Sequence, residues 1–220
     1  MTCIGTPARL TVEDLLVHEA AHAAVAWEVG VRVGRILVNR ERREGHVAFV
    51  SDVLIGRYAP GTPAARAAAE REMLACHAGF MAQRRFHYDS THHRYAVKDY
   101  LWIFRIAEQI EEDRAVIDAW SAYIEDRARA TIEQPATWAR ILALAIELAR
   151  RSDEDGTTEV DGATVDDFLA TVRVPKADPF LAYRRREATG KLVRLEREPV
   201  RQLLKRDIER AYLRRRGRWM

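Results

Sequence analysis

The chain has 220 residues and a mass of 25.2 kDa, enough for one domain with its own hydrophobic core and a short appendage. Hydrophobic residues make up 48% and charged residues 31%, a composition that excludes a wholly disordered chain. There is no apolar run of membrane-spanning length, no secretory leader pattern, and only two cysteines, too few for a disulfide framework. We therefore expect a cytoplasmic protein without a membrane partner.

The first predicted element is a helix over residues 11–29, because Thr11 can cap its start and Gly30 can end it. Two short strands follow over residues 35–38 and 46–51. The charged stretch between them is short enough to connect antiparallel strands, so we expect a β-hairpin near the N-terminus.

Helices dominate the chain from there to residue 172. Thr62 followed by Pro63 is typical of a helix start, and Thr164 is expected to cap the last, short helix. The predicted helices cover residues 63–86, 96–110, 115–132, 135–151 and 164–172. One small sheet beside so many helices predicts an α+β fold that is predominantly α-helical.

Prolines divide the chain into a body, residues 1–174, and a basic, partly helical C-terminal extension, residues 175–220. From Arg184 onward there are 14 Lys and Arg residues against 5 Asp and Glu residues. A helix is expected over residues 199–216, and its apolar residues recur at helical spacing: Leu203, Leu204, Ile208 and Tyr212. This face favours docking on the body or on a second subunit, and nucleic acid is the alternative partner.

The pattern that carries chemistry is His-Glu-Ala-Ala-His at residues 18–22, inside the first predicted helix. Residues four apart share one helix face, so the imidazoles of His18 and His22 can converge on one metal ion. Two imidazoles are typical of catalytic zinc, which lowers the pKa of a coordinated water toward neutrality. Glu19 is expected to take the proton of that water as general base.

A catalytic zinc site needs a third protein ligand. Asp99 is the preferred candidate, because we expect it in the first turn of the third helix, where the helix dipole favours a carboxylate. His92 and His93, in the polar stretch just before that helix, are the alternatives.

These motifs resemble those of the peptidase domain of the FtsH-type, AAA-linked zinc proteases. The family's HEAGHA corresponds to HEAAHA at residues 18–23. HAGFMAQRRF at residues 77–86 is similar to the family's helix with a GGRAAEE-like stretch. KDYLWIFRIA at residues 98–107 is similar to the family's helix that opens with Asn-Asp-Leu. The resemblance places Asp99 at the family's third zinc ligand.

The resemblance covers roughly residues 10 to 172 in the order of elements. It implies a zinc-dependent endopeptidase that hydrolyses peptide bonds of unfolded or flexible proteins, with zinc held by the motif histidines and Asp99. Glu19 would be its catalytic residue. Two departures, Ala21 for the family's glycine and Gln83 for an acidic residue, leave these ligands in place.

The sequence contains no GxxxxGK[ST] phosphate loop. We therefore expect either cleavage of segments that are already exposed, or substrate delivery by a separate ATPase or within a homo-oligomer. The alternative function is a catalytically inactive metal-binding scaffold whose basic extension binds a partner protein or nucleic acid. An intact Glu19 favours catalysis, because a purely structural zinc site is usually closed by four protein ligands and has no need of that residue.

Overall fold

The computed structural model describes residues 11–87, 93–153 and 155–173, without the side chains of residues 93–95. These ranges contain six helices and one three-stranded sheet, so the predicted α+β, predominantly helical class is confirmed. The predicted boundary between body and extension and the predicted helix over residues 199–216 lie outside the described residues.

Helix α1 (Val12–Val29) forms the centre of the fold. Its start is a capping box, in which Thr11 Oγ1 accepts a hydrogen bond from the backbone N–H of Asp14, and Asp14 accepts one from the backbone N–H of Thr11. Gly30 ends the helix at φ 75°, as predicted. Every residue of positions 14–26 is buried, so the polar side chains of α1 must find partners inside the protein.

The three strands form an antiparallel sheet in the order β2-β1-β3. Strands β1 (Val33–Asn39) and β2 (Glu44–Phe49) form the predicted hairpin, and β3 (Thr157–Asp161) pairs with the other edge of β1. The sequence analysis did not predict β3. Only five residues long, β3 pairs with a strand more than a hundred residues earlier, so no local pattern marks it.

The remaining helices surround α1 and the sheet. They are α2 (Pro63–Phe86), α3 (His93–Ala107), α4 (Arg114–Glu133), α5 (Pro135–Arg150) and α6 (Gly162–Thr171). Helix α2 packs against α1, α3 and α4, and α5 also packs against α1. This arrangement brings α1, α2 and α3 together around one point.

Two predictions about helix starts were wrong. Helix α3 begins at His93 rather than near residue 96 and ends at Ala107, so Asp99 lies in its second turn and the argument from the helix dipole does not apply. Helix α6 is capped by Asp161, whose carboxylate accepts from the backbone N–H of Thr164. Thr164 therefore lies inside the first turn instead of capping it.

The core is mainly aliphatic, with some aromatic rings buried in it and others at its margin. Trp120 is buried, and Trp102, Phe104 and Trp138 pack against the core while partly exposed. Cys76 is a buried free thiol. In the parts of the chain that the structure describes, no helix combines the length and apolarity needed to cross a membrane.

Candidate metal centre

Two successive turns of α1 present the motif residues to α2 and α3. His18, Glu19 and His22 are each at most 5% exposed. The rings of His18 and His22 meet edge to face, with centroids 4.6 Å apart. Spacing of four residues on a continuous helix thus brings the two imidazoles together, as the sequence predicted.

The outer nitrogen of each ring is held by α2. His22 Nδ1 lies 2.8 Å from the backbone oxygen of Ala75, and His18 Nδ1 lies 3.2 Å from Gln83 Oε1. A carbonyl oxygen only accepts, so Nδ1 is the donor in both hydrogen bonds. In the neutral rings Nε2 then carries the lone pair, which is the form that binds a metal.

The carboxylate of Asp99, on α3, meets both Nε2 atoms. His18 Nε2 lies 3.0 Å from His22 Nε2, while Asp99 Oδ2 lies 3.1 Å from His18 Nε2 and 3.4 Å from His22 Nε2. In a tetrahedral zinc site with bonds of about 2.0–2.2 Å, neighbouring ligand atoms are about 3.4 Å apart. The triangle formed by the three atoms therefore matches one face of such a tetrahedron.

The three atoms of this triangle are suited to bind a cation. When both imidazoles are neutral, their two Nε2 lone pairs and the Asp99 carboxylate oxygen are three acceptors that converge on one point. Gly79 of α2 lines the same space: a Cβ at this position would lie 2.3 Å from His22 Nε2 and 2.7 Å from His18 Nε2. The donor set and the space left by Gly79 both fit a metal ion.

The side chain of Glu19 extends from α1 toward the start of β2. A Cβ on Gly45 would lie 2.3 Å from Glu19 Oε1, so the glycine allows the carboxylate to approach the strand backbone. Burial raises the pKa of Glu19, although His18 and His22 oppose this effect. A carboxylate with a raised pKa is a better proton acceptor near neutral pH than an ordinary glutamate.

The charges of the cluster are strongly coupled. Burial lowers the pKa of His22, but the nearby Asp99 and Glu19 carboxylates outweigh burial and raise that pKa to about 9. Burial disfavours ionisation of Asp99, yet the two imidazoles hold the pKa of its carboxyl well below its usual range. Without a metal, the cluster therefore keeps a proton on His22 that a metal ion has to displace.

The other histidines are placed as follows. His92 lies outside the described residues, and His93 is the first residue of α3, with its side chain outside the description. His77 is buried beside Ser121, and burial lowers its pKa to about 4. His87 contacts Asp14. Within the described ranges, no other group of three metal-ligating side chains converges as His18, His22 and Asp99 do.

Three residues that shape the site carried no predicted role. Gly79 and Gln83 are one turn apart on α2, inside the stretch noted only for its family resemblance. Gly45 lies in the hairpin. A glycine one turn before a buried polar residue of the same helix is the available signal, but it does not reveal which helix the two residues meet.

A search against protein-family models found none that matches this chain, and a search among curated proteins found no match. The function is therefore argued from the geometry of the centre.

Proposed function

We propose that this protein is a zinc-dependent endopeptidase, with zinc held by His18, His22 and Asp99. The observation that carries the proposal is the triangle of three acceptor atoms, 3.0–3.4 Å apart, with a buried glutamate beside it. When bound, zinc polarises a peptide carbonyl and lowers the pKa of a coordinated water. Three protein ligands leave a fourth position for that water, as in catalytic rather than structural sites.

Glu19 is the general base in this proposal. Its carboxylate accepts a proton from the attacking water and then donates it to the departing amine. Because burial raises its pKa, Glu19 holds that proton more readily than an exposed glutamate would. The histidines stay in place through these steps, since their Nδ1 atoms are held by α2.

The sheet supports an extended substrate. In the described part of the chain β2 pairs only with β1, so its outer edge is free to pair with another strand. Gly45 at the start of β2 lies against the carboxylate of Glu19. At the end of the same strand, the ring centroid of Phe49 is 6.2 Å from that of His22. A peptide that pairs along this edge passes the catalytic base, which favours unfolded or flexible segments as substrates.

The proposal is tested by replacing Glu19 with Gln. The amide cannot accept the proton, so E19Q should keep its zinc but cleave a disordered protein such as casein about 10²–10⁴-fold more slowly. Zinc content is measured by elemental analysis, and cleavage by the appearance of new N-termini.

Glu13→Gln is the matched control, because Glu13 belongs to the same helix but lies a turn and a half before the motif. It should behave like the wild type. Equal cleavage by the wild type and E19Q would rule out Glu19 as the base. A wild-type protein that holds zinc but cleaves no unfolded substrate would favour the inactive scaffold.

A further inference from the structure

Helices α1 and α2 are antiparallel, and facing residue pairs recur at every turn, the first two joined by hydrogen bonds and the third by the close approach of an imidazole to a glycine. From the N-terminus of α1 these are Asp14 with His87, His18 with Gln83, and His22 with Gly79. Each step moves four residues forward on α1 and four back on α2. The middle contact joins a proposed zinc ligand to a side chain that has no part in the proposed reaction.

We propose that Gln83 is a positioning residue: its amide oxygen holds the proton of His18 on Nδ1 and so presents Nε2 to the metal. The inference uses the proposed function only to identify zinc as the group that Nε2 binds. The contact itself, 3.2 Å from His18 Nδ1 to Gln83 Oε1, is buried and belongs to the protein without metal.

Two acceptors, one on each side of the ring, compete for the proton of a neutral His18. Gln83 Oε1 faces Nδ1, and Asp99 Oδ2 lies 3.1 Å from Nε2. A carboxylate is the stronger acceptor, so Asp99 by itself would draw the proton to Nε2 and block that nitrogen as a ligand. The amide oxygen on the other side of the ring opposes this tautomer.

His22 does not face this choice. Its Nδ1 donates to the backbone oxygen of Ala75, which no side-chain substitution can remove. The Nδ1–H of His18 therefore depends on a replaceable side chain, whereas the Nδ1–H of His22 depends on the helix backbone. This difference makes Gln83 the residue at which the ligand geometry can be tested.

An amide has one advantage over a carboxylate at this position. Glu19 and Asp99 already place two acidic groups around the triangle, and a third carboxylate would repel both in the metal-free protein. The amide supplies the acceptor without the charge. Its oxygen faces His18 Nδ1, and its Nε2 has no hydrogen-bond partner among the described residues.

Two variants of similar size separate the hydrogen bond from packing. Gln83→Met removes the acceptor and should weaken zinc binding roughly 10–100-fold, whereas Gln83→Glu keeps an acceptor and should bind zinc at least as tightly as the wild type. Zinc affinity is measured by competition with a chelator. Nitrogen-15 NMR of the metal-free protein, at a pH where His18 is neutral, should show Nδ1–H in the wild type and Q83E, and Nε2–H in Q83M.

Asp14→Asn is the control, because it weakens the neighbouring contact between α1 and α2 without touching a ligand. It should lower the melting temperature and leave zinc affinity unchanged. Equal zinc affinity and the same His18 tautomer in wild type and Q83M would overturn the proposal, and so would a Q83E variant as weak as Q83M. If the wild type binds no zinc, the proposed function fails, while the tautomer comparison still decides the role of Gln83.

Discussion

At the scale of single residues, the centre depends on where the protons of its side chains lie. The Nδ1 atoms of His18 and His22 each donate to an oxygen of α2, and Asp99 is held ionised by the imidazoles. Once His22 has lost its second proton, these conditions leave three lone pairs facing one another at 3.0–3.4 Å. A cation is the group that stabilises such an arrangement.

Replacing Asp99 with Asn tests the third ligand. The amide is nearly isosteric but uncharged, so the site loses the carboxylate that offsets the metal charge, and zinc affinity should fall by more than about 100-fold. Chelator competition measures the change. His92→Ala and His93→Ala should leave the affinity unaltered, and the reverse pattern would assign the third ligand to an imidazole.

The proton on His22 predicts how zinc binding depends on pH. The pKa of His22 is raised from 6.5 to about 9, so the metal-free protein binds this proton across neutral pH and zinc must displace it. Zinc affinity should therefore rise about tenfold per pH unit up to about pH 9. The protonated imidazole also stabilises the metal-free fold, because the pKa of His22 is higher in the folded protein than in the unfolded chain. This stabilisation is complete below pH 6.5 and is lost as the pH rises through 9.

Titrations with a competing chelator from pH 7 to 9.5 measure this dependence. An affinity that stops rising near pH 7 would show that His22 has an ordinary pKa, and that Asp99 does not act on it as the distances imply.

At the scale of elements, the centre requires α1 and α2 to approach closely. Alanines and Gly79 make this possible, because small residues let helix backbones come together. The same close approach aligns the polar residues of the two helices turn by turn. One interface thus supplies both the burial of α1 and the hydrogen bonds that orient its histidines.

Gly79→Ala tests that approach. The added methyl group would lie 2.3 Å from His22 Nε2, so one imidazole has to move and zinc binding should be lost or reduced by more than about 100-fold. Gly61→Ala is the control: its φ of 76° imposes strain of about 1–2 kcal/mol, but a Cβ there meets nothing within 4 Å. It should lower the melting temperature while zinc affinity stays constant. Unchanged zinc binding in G79A would show that the three ligands do not share the space beside Gly79.

At the scale of the whole molecule, the described contacts of the centre all lie within residues 11–173. Deleting residues 184–220 should therefore leave zinc content and zinc affinity unchanged, even though it removes 14 Lys and Arg residues. Elemental analysis and chelator competition on the truncated and full-length proteins measure this. Loss of zinc on truncation would show that the basic extension completes or supports the centre.

Local interactions made much of the fold predictable from the sequence. The start and end of α1 follow from Thr11 and Gly30, and the start of α2 follows from Thr62, because caps act within one turn. The convergence of His18 and His22 is equally local, since it needs only the helix period. Where the local signal was weaker, as at the starts of α3 and α6, the prediction was wrong.

The rest of the centre was decided by tertiary packing. Asp99 is 81 residues from His18 and Gln83 is 65, so their contacts depend on how α2 and α3 pack against α1. Family resemblance pointed to Asp99, but periodicity and capping did not, and the role of Gln83 had no signal of its own. The helix period determines which residues of one helix share a face. The helix faces that meet in the fold are determined by burial summed over the whole core. The sequence by itself therefore determined that His18, Glu19 and His22 lie together on one helix, and the tertiary structure decided which residues of other helices complete the cluster around them.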